Sequence, residues 1–233
     1  PRAATPAAVA AAGMIYLHVG QAGNEIGSAF WRLAASEGPP RNWLFDERGR
    51  CRAVLVDTEP KVVHGAVRAV GAERFHPQCV LAEQSGRGNN WAAGFYGPTV
   101  TEAGPGQIGL RGSCATGAGG GAVCDAALEA LRWQWERADG CAGVVLAHSL
   151  GGGTGSGLGS RLLLELRDRH PKHYLLSACA APFGPGELPL AAYNAMLALA
   201  SLHETADGVF YFDNAGLMRS LAGAAGGKGG ARA

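Results

Sequence analysis

The sequence predicts an α/β fold: a mainly parallel sheet with helices on both faces. Three observations point there. Short apolar runs of strand type alternate with segments of helical periodicity. Glycine-rich turns follow several of those runs directly. A hydrophobic content of 47% against 17% charge, over 233 residues, supplies a core that a disordered chain lacks. The length suits one large domain or two small ones.

In chain order, Met14–Val19 is a β-run that meets Gly20-Gln21-Ala22-Gly23. A helix follows, with Asn24 able to cap it and Ile26, Phe30 and Leu33 spaced along one face. Ala53–Val56 is a continuous apolar strand of the buried parallel kind, ending in Asp57-Thr58-Glu59-Pro60. Pro60 suits the first turn of a helix that carries Val63 and Val67. A weaker strand at Cys79–Ala82 leads to Gly86-Arg87-Gly88-Asn89-Asn90-Trp91. Val123, Ala127, Leu131 and Trp135 recur every fourth residue and predict a helix over 121–137. Val144–Ala147 is the next buried strand, before His148-Ser149-Leu150-Gly151-Gly152-Gly153-Thr154-Gly155-Ser156-Gly157. A helix with Leu158, Leu162 and Leu166 on one side runs to Asp168. Tyr174–Ala180 and Val209–Phe212 read as strands, and Leu188–His203 and Asn214–Leu221 as helices.

The ends and the middle read differently. Residues 1–13 form an Ala-rich leader without the apolar run of a secretory signal, so Met14 is the expected start of the fold. The segment 97–121 reads as a Gly-rich insertion with no assigned role, and 222–233 as a flexible Gly/Ala tail. The domain is therefore expected over 14–221. Both ends read as the edges of a fragment.

Composition removes several function classes. The net charge of +1 carries no polybasic excess of the kind that binds nucleic acid. The apolar runs are broken well short of the ~20 residues a membrane helix needs. Six scattered cysteines (Cys51, Cys79, Cys114, Cys124, Cys141, Cys179) form no C-x-x-C pair and read as reduced, structural thiols of a cytosolic protein. Glycine is the anomaly, at 37 residues or about 16% against a usual ~7%.

In a parallel sheet, ligands sit beyond the carboxyl ends of the strands, so the turns after Val19, Val56, Ala82, Ala147 and Phe212 are expected to form one site. The run from His148 to Gly157 lies between a strand and a helix, where glycines admit phosphate oxygens to backbone N–H groups and the helix start adds its positive end. Thr154 and Ser149 add hydroxyl donors. A Walker A lysine is lacking, so phosphate charge would be met by amides and a metal ion. Asp57 and Glu59, one residue apart at a strand end, suit Mg2+ beside phosphates. Gly86–Asn90 offers further amides, with Arg87 as an extra cation. The Asn214 amide can donate and accept at once, which suits a guanine edge. A different class also fits locally: Ala147-His148-Ser149-Leu150-Gly151 is close to a nucleophile elbow, which would make Ser149 a serine-hydrolase nucleophile with Asp168 and His203 in the required order. Against that reading, a glycine run and not a helix stands behind Ser149.

Together these segments resemble the tubulin family, from Met14 to about Leu221 and in the family's order: Gly20–Asn24, Ala53–Pro60, Gln84–Ala92, His148–Gly157, Ala192-Tyr193-Asn194 and Asp213-Asn214. The resemblance implies a tubulin/FtsZ-type, Rossmann-like GTPase domain that binds GTP or GDP with Mg2+. It also implies head-to-tail polymerisation with other tubulins into microtubule-type assemblies of the cytoplasm and cytoskeleton, with no membrane or nucleic-acid partner. Carried over by residue, Gly20, Gln21 and Ala22 would lie by the phosphates. Gln21, Asp57 and Glu59 would serve Mg2+, Glu59 through water. Asn89 would face the γ-phosphate, and Gly151, Gly152, Gly153, Thr154 and Gly155 would wrap the phosphates. Ser149 would line the site and Asn214 would read guanine.

Departures accompany the resemblance: Ala22 stands where tubulins commonly have Cys, Glu25 where Gln is usual, and Ala191 where a Glu supports the ribose. Ala53–Lys61 and Pro182–Glu187 look closer to delta-tubulin than to alpha or beta types, which implies centriole or basal-body association. The family's central helix, second domain and acidic tail have no counterpart in these 233 residues, so slow GTP turnover and no polymerisation are expected of this chain.

Overall fold

The computed structural model describes residues 13–37, 43–97, 122–138, 140–183 and 188–226. Six strands form one sheet: β1 (Gly13–Val19), β2 (Ala53–Asp57), β3 (Val80–Ala82), β4 (Cys141–Ser149), β5 (Tyr174–Ala180) and β6 (Gly208–Phe212). Their order is β3-β2-β1-β4-β5-β6 and every pairing is parallel. The strand order therefore reverses between β1 and β4, and the crevice at that reversal is where a doubly wound sheet binds its ligand.

The helices are α1 (Gly20–Ser36), α2 (Pro60–Val70), α3 (Trp91–Tyr96), α4 (Ala122–Glu136), α5 (Gly159–Arg169), α6 (Ala191–Thr205) and α7 (Asn214–Gly226). A π-helical turn, Thr154–Leu158, leads into α5. Strand alternation sorts side chains between two cores. Ala53 and Leu55 join Trp31, Val63, Ala66 and Phe75 under α1 and α2. Ile15, Leu17, Val54, Val56, Val144 and Leu146 face the other way, into leucines of α4, α5 and α6.

Most expected elements are present, with four differences. Asn24 does not cap α1. The helix begins at Gly20, and the buried Asn24 amide instead donates to the carbonyls of Gly20 (2.9 Å) and Val56 (3.0 Å). The expected apolar face of α1 is also wrong, because Ile26 and Leu33 are exposed and the buried side is Gly20, Gly23, Asn24, Gly27 and Trp31. The cause is close approach: a Cβ on Gly23 would stand 2.2 Å from the Ala147 carbonyl oxygen, and one on Gly27 2.5 Å from the His18 ring. Only small residues let α1 lie that low on the sheet, and Trp31 fills the remaining space with its indole N–H donating to His18 Nε2 (3.0 Å). The sixth helix begins at Ala191 and not Leu188. The last helix runs to Gly226, so the first five residues of the expected tail are helical. The leader through residue 12, the insertion over 98–121 and residues 227–233 lie outside the described residues.

The five described cysteines are free thiols, as expected, and Cys114 lies outside the described residues. Burial pushes the Cys51 thiol up to about 12 and Cys79 to about 11, so neither supplies a thiolate near neutral pH.

Candidate functional site

All six strands deliver residues to one cavity of about 500 Å³ at their carboxyl ends. Gly20, Gln21, Ala22 and Glu25 come from the β1–α1 junction, and Asp57 and Glu59 from the end of β2. Gly86 to Asn89 follow β3, Ser149 and Gly151 to Gly155 follow β4, Ala180 to Phe183 follow β5, and Asn214 follows β6. Every residue that the family resemblance assigns to nucleotide or metal is on this wall, whereas Asn90 of the Gly86–Asn90 run caps α3, its side-chain oxygen accepting the Ala92 N–H (2.8 Å). Sequence separations of up to 194 residues are closed by the parallel topology alone.

The glycine run divides its labour in a way its sequence conceals. A Cβ on Gly157 would stand 2.1 Å from the Trp91 carbonyl oxygen, and one on Gly94 2.2 Å from that of Gly153. Backbone of the π-helical turn thus lies directly on backbone of α3, and these glycines serve packing. Gly20 adopts φ +76°, and a Cβ there would meet the Gly155 nitrogen at 2.8 Å, so it locks the first turn onto the second.

Polar side chains pin the loops to one another. Asn194 is the principal clamp: it is buried on α6, its amide donates to the carbonyls of Asn89 (2.7 Å) and Gly151 (2.8 Å), and its oxygen accepts from the Trp91 N–H (2.9 Å). Asn89 itself holds φ +50°, a conformation asparagine tolerates better than other side chains bearing a Cβ. Buried His148 lies beneath the glycine run, with Nδ1 2.9 Å from the Gly155 carbonyl and Nε2 2.9 Å from the Ser177 hydroxyl. Burial lowers its pKa to about 4, so the ring is neutral. Since Gly155 O can only accept, Nδ1 carries the proton and Nε2 accepts from Ser177.

Thr58 and Thr154 join hydroxyls at 2.7 Å, linking the β2 and β4 turns. With Thr58 donating, the Thr154 proton is left for a ligand oxygen. Neither Asn194, His148 nor Thr58 was assigned a site role from sequence. Asn194 had a signal in Ala192-Tyr193-Asn194, but Thr58 shows none outside the fold.

The acids determine what the cavity can hold. Asp57 accepts the Thr58 N–H on Oδ1 (2.7 Å), while its buried Oδ2 has no hydrogen-bond partner among the described residues. Burial raises this carboxyl to about 6. Glu25 and Glu59 lie on the same wall, and the Gln21 amide donates to Glu25 (3.0 Å). An orphaned carboxylate oxygen beside hard oxygen donors fits Mg2+. Among the described residues no group of three or more His, Cys, Asp or Glu could hold a metal by itself, so the ion would complete its shell with water and ligand oxygens.

Two expectations are corrected. Arg87 does not present a free cation, since its guanidinium is engaged with Glu83 (2.9 Å) and Ser85 (2.7 Å). The hydrolase reading also fails. Ser149 ends β4 on the cavity, whereas Asp168 and His203 are exposed near the far ends of α5 and α6. An α5 of 11 residues separates its two ends by roughly 15 Å, so no triad forms. Asn214 is placed as expected, with one amide N–H donated to the Ala181 carbonyl (2.6 Å). Its oxygen and second N–H have no hydrogen-bond partner among the described residues.

Comparison with known proteins agrees with this geometry. The model of the Tubulin/FtsZ family, GTPase domain, matches residues 13–103 and 96–222. The tubulin beta-1 chain of Geotrichum candidum is 32% identical over 225 residues, covering 88% of this chain and 46% of the relative. The tubulin beta-1 chain of Colletotrichum graminicola matches to the same extent. The chain thus spans about half the length of these curated relatives.

Proposed function

The chain belongs to the tubulin/FtsZ family as its GTPase domain, and we propose that its cavity holds GTP or GDP with Mg2+, laid along the strand order of the sheet. The observation that carries this reading is the delivery of residues from all six strand ends to one cavity. Asn214 beyond β6 takes the guanine edge. The turn after β4 takes the inner phosphates on its amides and the Thr154 hydroxyl. The turns after β2 and β3 then take the terminal phosphate and the cation, with Asn89, Asp57, Glu59 and Gln21.

The charges on the wall make the cation necessary. Glu25, Asp57 and Glu59 oppose one arginine that is itself paired, so a polyphosphate alone would enter a negative field. Bound Mg2+ would neutralise phosphate charge there. Positioning and electrostatics dominate phosphoryl transfer, and this chain supplies both through loops fixed by Asn194, His148 and the Thr58–Thr154 pair. Ala191 faces Gly151 where the family resemblance leads one to expect a ribose-binding carboxylate, so sugar recognition rests on other groups.

In the whole protein, the domain is a unit of microtubule-type, head-to-tail assembly with other tubulins in the cytoplasm. The delta-like stretches Ala53–Lys61 and Pro182–Glu187 support a centriole or basal-body setting, which localisation of a tagged copy would test. For the cavity, the test is titration of fluorescent GTP and ATP with excess Mg2+. Saturable GTP binding, displaced by GDP, lost on chelation and much weaker for ATP, is expected. Equal affinity for ATP would overturn the guanine reading, and binding indifferent to chelation would overturn the metal.

A further inference from the structure

We propose that Arg87, with Glu83 as its counter-ion, is the specificity-determining pair by which this cavity prefers a nucleoside triphosphate over a diphosphate. The inference rests on the nucleotide reading above. With the base at β6, the strand order places the terminal phosphate toward β2 and β3, and the turn after β3 is the one that carries Arg87.

Three observations single this residue out. Arg87 is the sole cation among the described residues lining the cavity. Its side chain is 1% exposed, while that of Glu83 is 26% exposed, so the positive member is the one sheltered from solvent. Its buried Nε–H has no acceptor among the described residues, although the other two nitrogens are bonded to Ser85, Gly86 and Glu83. The fold therefore buries a guanidinium on a residue that lines the cavity, with one donor unpartnered among the described residues. The Arg87 backbone oxygen and Cβ lie where a side chain on Gly153 would go, so the backbone that carries this side chain abuts the glycine turn.

A buried cation is weakly screened, and its field acts most on the phosphate nearest to it. A triphosphate gains that interaction and a diphosphate does not. Glu83 tempers the charge. Removing Glu83's charge should strengthen the preference, and removing that of Arg87 should abolish it.

The test is the ratio of GDP to non-hydrolysable GTP dissociation constants, measured on the 233-residue chain in excess Mg2+. For Arg87→Gln the ratio is expected to fall about tenfold toward GDP, as for loss of one weakly screened charge near the terminal phosphate. For Glu83→Gln it is expected to rise about threefold toward the triphosphate. A merely structural pair would weaken both ligands together and leave the ratio unchanged in both variants. Such an unchanged ratio, or a fall for Glu83→Gln, would overturn the proposal. If Arg87→Gln does not fold, the direction of the Glu83→Gln shift still decides. A wild-type chain that binds neither nucleotide would instead overturn the reading of the cavity on which the proposal rests.

Discussion

The two margins of the sheet bracket the same cavity and are built in opposite ways. At the β3 margin, only three residues pair, and β2 beside them is buried along its whole length. The turn that follows is fastened by Asn194, by Arg87–Glu83 and by a tight packing of α3 on the π-helical turn. At the β6 margin, Phe210 and Tyr211 are each 56% exposed although they point to opposite faces, and Leu217, Met218 and Leu221 of the following helix α7 are exposed as well. Apolar residues exposed on both faces of an edge strand mark a surface that meets another surface. The β3 end of the cavity, where we propose the terminal phosphate, is thus held by this chain's own packing, whereas the β6 end, where we propose the base, rests on a margin whose apolar side chains are exposed.

Core truncation should separate the two margins most strongly. Leu146→Ala, at a fully buried position in the central strand β4, is expected to cost about 2–5 kcal/mol. Phe210→Ala in β6 should cost less than about 0.5 kcal/mol, as for an exposed position. Urea denaturation measures both, and similar losses would break the comparison. Next in size, Asn194→Leu leaves the Trp91 N–H and the Asn89 and Gly151 carbonyls without their partner. It should remove about 3 kcal/mol of stability and weaken nucleotide binding with it. Thr154→Val should leave folding nearly intact but reduce GTP affinity about ten- to hundredfold, for a loss of roughly 1.5–3 kcal/mol. An unchanged affinity would remove the β4 turn from phosphate binding.

A smaller effect follows from titration, and all the groups concerned lie on the packed side. His18 and His148 are lowered to about 4 by burial, so their contribution is complete above their unfolded value of ~6.5 and is lost as pH falls toward 4. Asp57 is raised to about 6 by burial and has the opposite sign: its contribution is complete below about pH 4 and is lost as pH rises through 6. Between pH 4.5 and 6 the unfolded chain therefore holds about one proton more than the folded one, from two histidines against one carboxyl. Stability should rise by about 1.4 kcal/mol per pH unit in that window. Asp57→Asn should roughly double the slope. A flat profile in denaturation experiments would show that these groups are not buried as described.

Legibility in the sequence followed range. The β1 and β4 turns could be read because a buried-type apolar run, a glycine cluster and a helical period are contiguous there. Asp57, Glu59 and Asn214 could be read because each stands at or just past a strand's carboxyl end, and a parallel sheet gathers such positions. The α1 face could not be read from periodicity, because the packing residues are glycines, which carry no hydropathy signal, and Trp31 replaced the expected aliphatics. Arg87 looked like a free cation because Glu83, four residues earlier, lies across a turn whose shape no pattern gives.

The sequence by itself determined the parallel α/β class, the positions of the glycine-rich turns at the strand ends and most of the residue types that reach the cavity. These follow from local propensity and from the period of burial, both short-range properties of the chain. Only the tertiary structure decided which glycines face the cavity and which are needed where α1 and α3 press on backbone. It alone joined Thr58 to Thr154, set Asn194 across three loops, and turned Arg87 inward onto Glu83. Those outcomes depend on contacts between residues up to about a hundred positions apart, whose distances are fixed by strand order and helix height rather than by any neighbour in the chain.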